Sequence, residues 1–573
     1  MGPKRRLTVL LTSLSLLAAI FPAATGAAEI PTTYPRSETL YTSGTMYGPP
    51  GDFNPIKDWD YTTGTFGLLY ESLFLYNPLN DKFSPWLAQS GSWTGAKEYT
   101  LKLRAGLKWT DGVALTADDV VYTVNLGKLA SVPYSTLWSF LSAVTKVDAT
   151  TVKFTFSTAN YQEWATFLYN TAILPEHLWK GRNETEVMSN NYTAGQDVVG
   201  SGPYKLLTFD QQKVVWVKND AWWGKAILNL DVKPKYIIDL VNGSNNVSLG
   251  LMMQGQIDLS NNFLPGINSI VSGIGGYGIQ TYYNSAPFML SANTAWLVTN
   301  NNKKPMNDPV FRRALAESIN IDKIVSNVFG NIVKKASPTG LLPTWNKYVD
   351  TAAVKKYGFT YNVTHAKKLL KDAGYKLGSD GYFRNKDGSK IDLEIIVPNG
   401  WTDWMASIQS IAASAKQAGI RIHTAFPSYN DRTDKIQRGK FDLAIMNDRQ
   451  VSNSPWTYYS WVFRQPIQSV QNAGNFGRYK NTTAWNQVKQ LDATPTTNLA
   501  AMKTVMSKLE TTLMKDLPII PLWYNGMWSQ ASNAVWTNWP AAAAGSPHYV
   551  PCTWRGYWQM GAVLMLTQLK PAS

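Results

Sequence analysis

The chain has 573 residues, a formal charge of +15 and one cysteine, Cys552. A disulfide within the chain is therefore excluded, and a length of this order predicts several domains stabilised by their own cores. Charged residues make up 16% of the chain, and the lysines and arginines are scattered rather than clustered. This distribution is typical of a solvated surface and argues against a nucleic-acid-binding protein.

The N-terminus has the features of a secretory signal peptide. Basic residues occupy positions 4–6, an apolar stretch follows over 7–21, and small residues lead to Ala28. This pattern predicts a signal peptide over 1–28 and an extracytoplasmic mature protein. The alternative is an uncleaved membrane anchor, which the short apolar stretch disfavours. Because a bacterial lipoprotein needs a cysteine at the cleavage site and Cys552 lies near the other end, we do not expect a lipoprotein.

Strand-like and helix-like segments alternate along the rest of the chain, which predicts an α/β fold. Residues 98–103 alternate like a half-buried strand, and Thr116 followed by Asp118 and Asp119 predicts a capped helix start. Those two acids could be read as catalytic, but acids in a first turn more often complement the helix dipole. A second helix is predicted to start at Pro309 after a capping acid, and a third over 364–374.

The segment 391–422 predicts a β-α-β unit. Residues 391–397 read as a strand, 403–417 have apolar residues at helical spacing, and a further strand begins at Ile420. The loop 398–404 then lies at the carboxyl end of a strand, where open parallel sheets commonly bind ligands.

The chain resembles the large extracellular solute-binding proteins of family 5, which include oligopeptide-, dipeptide-, nickel- and cellobiose-binding members. The most specific motif is YTLKLRAGLKWTDG at 99–112, followed by LTADDVVY at 115–122. Further matching segments are GSGPY at 200–204, KNDAWWG at 218–224, FRRAL at 311–315, AKKLL at 366–370 and AGY at 373–375. The similarity covers essentially the whole mature chain.

The resemblance implies a two-lobed periplasmic-binding-protein-like fold of the large class II type, with an extra domain inserted in the first lobe. Carried onto this chain, lobe I comprises 29–68, 200–298 and 520–573. The inserted domain comprises 69–199, and lobe II comprises 299–519. The lobes are expected to close on a solute and present it to the membrane permease of an ABC importer, with the protein acting as a monomer.

The sequence favours an oligosaccharide as the solute and leaves a peptide as the alternative. Peptide-binding members typically have a motif whose acid meets the peptide amine, just after a segment like that at 439–442. That motif is absent here, and only Asp448 could partly replace it. The segments GWTDW at 400–404, SPWTYY at 454–459 and YGPPGDFNP at 47–55 instead resemble the carbohydrate-binding branch.

The composition agrees with a sugar ligand. The chain has 23 Trp, and indole rings stack on the apolar faces of pyranoses. Trp401 and Trp404 are the predicted platforms, with Asp403 or Asn399 binding hydroxyl groups. The simpler alternatives are that Trp401 covers the helix end and that Thr402 or Asp403 is the N-cap. The full set of predicted ligand contacts is Trp401, Trp404, Asp403, Asn399, Asn54 and Trp456, the last of which could instead be core.

An exported glycoside hydrolase is the main alternative from another class, because sequence spacing cannot exclude two carboxylates across a cleft. No nucleophile-elbow, zinc-protease or P-loop motif occurs, and the four histidines have no metal-ligand spacing. The glycine-rich segment 273–278 precedes a strand-like stretch, which predicts a flexible loop rather than a dinucleotide site. An envelope structural protein fits export but not the family motif. We therefore predict a binding protein without catalysis, metal or cofactor.

Overall fold

The computed structural model describes residues 33–43, 46–57, 61–95, 97–192, 198–272, 278–447, 452, 454–552, 554 and 559–572. The predicted signal peptide, Asp448 and residues 273–277 of the glycine-rich segment lie outside these ranges. What the sequence predicts for them therefore stays a prediction.

The strands of the described residues are, in chain order, β1 Thr39–Ser43, β2 Phe74–Asn77, β3 Lys82–Pro85, β4 Ala88–Gly95, β5 Glu98–Leu103, β6 Leu141–Lys146, β7 Thr151–Phe156, β8 Tyr204–Phe209, β9 Lys213–Lys218, β10 Tyr236–Leu240, β11 Leu259–Ser260, β12 Ile279–Gln280, β13 Leu290–Thr299, β14 Lys334–Lys335, β15 Lys376–Leu377, β16 Phe383–Arg384, β17 Leu393–Ile396, β18 Ile422–Ala425, β19 Leu443–Met446, β20 Ile519–Met527, β21 Gln530–Ser532, β22 Trp536–Thr537 and β23 Lys570–Pro571.

The α-helices are α1 Ala117–Leu126, α2 Tyr161–Asn170, α3 Glu176–Trp179, α4 Glu184–Ser189, α5 Trp223–Leu228, α6 Asn245–Met253, α7 Ile267–Ser272, α8 Pro309–Ser318, α9 Ile321–Asn327, α10 Thr351–Tyr357, α11 Val363–Asp372, α12 Thr402–Gln417, α13 Tyr429–Gln437, α14 Trp456–Phe463, α15 Thr482–Asp492, α16 Leu499–Asp516 and α17 Gln559–Gln568.

Three sheets organise the molecule. A 7-stranded sheet has the order β12-β21-β11-β1-β10-β9-β8, and a 6-stranded sheet has the order β14-β20-β13-β19-β17-β18. The third is a 4-stranded antiparallel sheet, β4-β5-β7-β6, formed by residues of the predicted insertion. This mixed α/β architecture is the two-lobed fold that the sequence predicts.

The local predictions follow short-range patterns and are confirmed. Burial alternates along β5, and Thr116 forms a capping box with Asp119 at the start of α1. Asp308 caps α8, whose first residue is Pro309. The strands β17 and β18 pair in parallel and are joined by α12, which confirms the β-α-β unit.

The proposed lobe boundaries differ from the sheet pairing at two places. The boundaries put most of β13 and β20 in lobe I, but β13 pairs with β19 and β20 inside the 6-stranded sheet. Ladder hydrogen bonds, rather than position in the chain, decide which sheet a strand joins. The passages between the two large sheets therefore fall between β12 and β13 and between β20 and β21.

Two glycines of the GSGPY segment are required by close backbone contacts. A Cβ on Gly200 would lie 1.9 Å from the Leu69 carbonyl oxygen, and one on Gly202 would lie 2.1 Å from that of Leu68. Both backbones approach so closely that only glycine fits. The GSGPY segment therefore packs closely against residues 68 and 69, where the predicted insertion begins. Its glycines are required for this packing rather than for ligand binding.

Arg312 of the FRRAL segment is also structural. It is 3% exposed, and its guanidinium donates to the carbonyl oxygens of Met306, Asp516 and Leu517. Five N–H donors in a rigid fork suit this bridging of several backbone carbonyls. The arginine thus ties the start of α8 to the end of α16.

Candidate ligand-binding site

A cavity of about 660 Å³ lies between elements of the two large sheets. From the 7-stranded side, its wall includes Asn245, Asn262 and Phe263. From the 6-stranded side, the N-terminal residues of α12 and the end of β20 line it. Its volume is within the range of small-molecule sites.

Three half-buried indoles line the cavity: Trp401, Trp461 and Trp528. Trp461 packs edge-on against Phe476, with ring centroids 5.9 Å apart. Trp528 packs edge-on against Phe263 at 5.2 Å. Both indoles are therefore packed against other aromatic rings and contribute apolar surface to the cavity wall.

Tyr47 joins the two sides of the cavity through aromatic contacts. Its ring stacks on that of Tyr429 with centroids 5.4 Å apart and an interplanar angle of 29°. It also lies 5.0 Å from the ring of Trp401, which is itself 4.8 Å from that of Trp404. Trp401 therefore packs against the rings of Tyr47, Trp404 and Tyr429.

Most of the polar lining consists of neutral carboxamides, which both donate and accept hydrogen bonds. They are Asn245, Asn261, Asn262, Asn293, Gln437, Asn447, Gln465, Gln468, Gln471, Asn472 and Asn525.

Asp403 is the one carboxylate among the lining residues that the structure describes. It is 5% exposed, and its Oδ1 accepts a 3.0 Å hydrogen bond from Asn245 Nδ2. Burial outweighs this hydrogen bond and raises the pKa of Asp403 to about 6. The side chain is thus engaged with the protein and poorly solvated.

The cationic lining residues also contact protein groups. There are three in the described lining, Lys57, Arg432 and Arg464. Lys57 Nζ lies 2.6 Å from Asp52 Oδ2, and Arg432 Nη2 donates to the Ile445 carbonyl oxygen at 2.5 Å. Arg464 interacts electrostatically with Glu163. The positive charge of each of these side chains is therefore partly compensated by protein groups.

The structure brings half of the predicted contacts together. Trp401, Asp403 and Trp404 line the cavity, although Trp404 lies in the first turn of α12 and is 2% exposed rather than on a loop. The N-cap of α12 is Trp401 without a side-chain cap, so neither Thr402 nor Asp403 is the N-cap.

The other three predicted contacts lie outside the cavity lining. Asn54 is buried and donates to the carbonyl oxygens of Val187 and Asn190, where it anchors α4. Asn399 is exposed, and Trp456 is 8% exposed within the core. A direct role of these three in binding stays a prediction.

The sequence did not single out Trp461 or Trp528. Trp461 follows Trp456 by five positions on α14, so the two rings point to different sides of the helix. If Trp456 is assigned to the core, this spacing predicts that Trp461 faces a different side of the helix. Trp528 directly follows β20 and has no local motif that distinguishes it from other tryptophans.

A two-lobed α/β fold with a cavity between its large sheets defines a solute-binding protein. The family described as bacterial extracellular solute-binding proteins, family 5, matches residues 82–469. The chain belongs to this family, as the sequence predicts.

A structure of a Thermotoga maritima oligopeptide ABC transporter periplasmic oligopeptide-binding protein, bound to mannohexaose, is 43% identical. Its TM-score is 0.90, and the match covers 94% of this chain and 99% of that one. The oligopeptide-binding protein AppA of Bacillus subtilis is 25% identical over 84% of this chain and 87% of its own length. The peptide transport periplasmic protein SapA of Salmonella typhimurium is 23% identical over 90% and 92%.

The Thermotoga maritima protein is thus a periplasmic binding protein of an ABC transporter, AppA is an oligopeptide-binding protein and SapA is a periplasmic protein of peptide transport. The protein is accordingly an extracytoplasmic substrate-binding protein of an ABC importer, which binds a small ligand and delivers it to a permease. Within the described ranges, no helix combines the length and the apolar character that crossing a bilayer requires. The same ranges contain no group of three His, Cys, Asp or Glu side chains suited to a metal ion.

Proposed function

We propose that the protein captures an uncharged oligosaccharide in this cavity, as a monomer, and catalyses no reaction on it. The observation that supports this is the composition of the cavity wall: the described lining combines three half-buried indoles with eleven neutral carboxamides, and its one carboxylate is buried. Candidates are manno-, cello- and xylo-oligosaccharides.

This wall suits the two surfaces of a pyranose. Its C–H faces are apolar and pack on indole rings such as those of Trp461 and Trp528. Its hydroxyl groups each donate and accept, and a carboxamide offers both functions. A neutral ligand also leaves no unpaired charge in the closed cavity.

A short peptide fits the described lining less well. Its ammonium group needs an accessible carboxylate, whereas Asp403 is buried and hydrogen-bonded to Asn245. A glycoside hydrolase also fits less well, because it needs two carboxyl groups across the cavity and the described lining contains one.

The relatives support the same ligand class. The 43%-identical Thermotoga maritima protein has mannohexaose bound, whereas the peptide-binding relatives AppA and SapA are 25% and 23% identical.

Titration calorimetry of the mature protein against manno-, cello- and xylo-hexaose and against a short-peptide library tests the proposal. We expect at least one oligosaccharide to bind tightly and to raise the melting temperature by mass action. The recovered sugar should be intact, and sedimentation should give a monomer. Tight binding of peptides with no response to any oligosaccharide would overturn the ligand class, and cleavage of the sugar would overturn the binding role.

A further inference from the structure

One polar contact bridges the two large sheets at the cavity wall. Asn245 is the first residue of α6, which follows β10 of the 7-stranded sheet, and Asp403 lies in the first turn of α12, which follows β17 of the 6-stranded sheet. Asn245 Nδ2 donates to Asp403 Oδ1 at 3.0 Å and to Thr402 Oγ1 at 3.0 Å. The backbone N–H of Asn245 also donates to the Gly400 carbonyl oxygen at 3.1 Å.

The carboxamide of Asn245 is oriented from its own side. Asn262 Nδ2 donates to Asn245 Oδ1 at 2.9 Å, which leaves the Nδ2 group of Asn245 directed at α12. Asn245 is 2% exposed and Asn262 is 4% exposed, so water competes little with these bonds.

Three of these side chains, Asn245, Asn262 and Asp403, also line the cavity. A ligand in the cavity therefore lies against the contact, and separation of the two sheets would break the contact and the cavity together. The aromatic contact between Tyr47 and Tyr429 lies at the same side of the cavity and joins the same two halves.

We infer that Asn245 is a positioning residue for lobe closure, whose carboxamide holds the closed state by bonding Thr402 and Asp403 across the cleft. The inference rests on the proposed function only in the choice of sugar as probe. Because the contact acts on the open–closed equilibrium, its loss lowers the closed fraction and weakens every ligand by the same factor. Loss of a wall ring such as Trp461 changes the affinities for different sugars unequally.

An exchange of the two side chains tests this. Asn245→Asp places two carboxylates where a donor met an acceptor, and we expect about a hundredfold weaker binding of mannohexaose. Asp403→Asn keeps an acceptor for Asn245, so we expect a smaller loss of affinity than from Asn245→Asp. The double variant restores a donor facing an acceptor in the reverse sense, and we expect affinity within about fivefold of the parent. Asn327→Asp, on an exposed face of α9, is the control for added charge.

Affinity is measured by calorimetry with mannohexaose and cellohexaose, and closure by the radius of gyration from small-angle scattering with and without sugar. Asn245→Asp should weaken both sugars equally and leave the protein expanded, while the double variant contracts like the parent. Unchanged affinity and contraction in Asn245→Asp, or no recovery in the double variant, would overturn the inference.

The two proposals fail in different ways. If the parent binds peptides instead of sugars, the ligand class fails and the same variants are compared with a peptide as probe. Melting curves of the ligand-free variants detect a merely structural role, which would lower the melting temperature of the double variant as well.

Discussion

The carboxylate of Glu71 is buried among three indoles: those of Trp222 and Trp223 in the KNDAWWG segment, and that of Trp86, which follows β3. Trp86 Nε1 and Trp222 Nε1 donate to Oε1 at 2.9 and 3.2 Å, and Trp223 Nε1 donates to Oε2 at 2.7 Å. Glu71 is 2% exposed. Desolvation outweighs these hydrogen bonds and raises its pKa from 4.5 to about 7.

A raised pKa in the folded state makes stability depend on pH in a definite direction. The stabilisation from the protonated Glu71 is fully present below pH 4.5 and is lost as the pH rises through about 7. Each pKa unit corresponds to about 1.4 kcal/mol, so the loss between pH 4 and pH 8 is about 3 kcal/mol. Glu71→Gln has no ionisable group at this position, so its stability should lack this pH-dependent contribution.

Urea unfolding of the parent and of Glu71→Gln, followed by far-UV circular dichroism from pH 4 to pH 8, measures the effect. Other buried acids, such as Asp492 and Glu510, titrate in both proteins and cancel in the difference. We expect the free energy of unfolding of Glu71→Gln to rise by about 3 kcal/mol relative to the parent between pH 4 and pH 8, in addition to a constant cost from the indole N–H group that loses its acceptor. A difference that stays constant across this range would refute the reasoning.

Three further predictions concern the site and the scaffold. Trp461→Ala and Trp528→Ala should each weaken oligosaccharide binding by about tenfold to hundredfold in calorimetry, since each removes a wall ring; two unaffected variants would place the ligand elsewhere. Gly202→Ala should lower the free energy of unfolding by more than about 3 kcal/mol or prevent folding, because the added Cβ would clash with a carbonyl oxygen. The control Gly250→Ala, in α6 with open space around it, should change the melting temperature little. Asp492 accepts three hydrogen bonds from the first turn of α2 and its N-cap, so Asp492→Ala should cost about 2–4 kcal/mol in urea unfolding; an unchanged midpoint would contradict this.

Local patterns in the sequence are sufficient for the elements around the site. The capping box at Thr116, the cap at Asp308 and the β-α-β unit that carries Trp401 depend on residues within a few positions of one another. The family segments also predict the two-lobed fold, and in one of them the backbone at Gly202 approaches the Leu68 carbonyl oxygen too closely for any side chain.

The tertiary structure alone decides which side chains meet in the cavity. Asn245 and Asp403 are 158 positions apart and belong to different sheets, yet their side chains are hydrogen-bonded. Trp528 lines the cavity wall only because β20 pairs with β13 and ends at the cavity. Asn54 does not line it, because its side chain donates a hydrogen bond to a carbonyl oxygen of α4. Local sequence determines helices, strands and their caps, whereas long-range pairing and burial select the few aromatic and amide side chains that can reach a ligand.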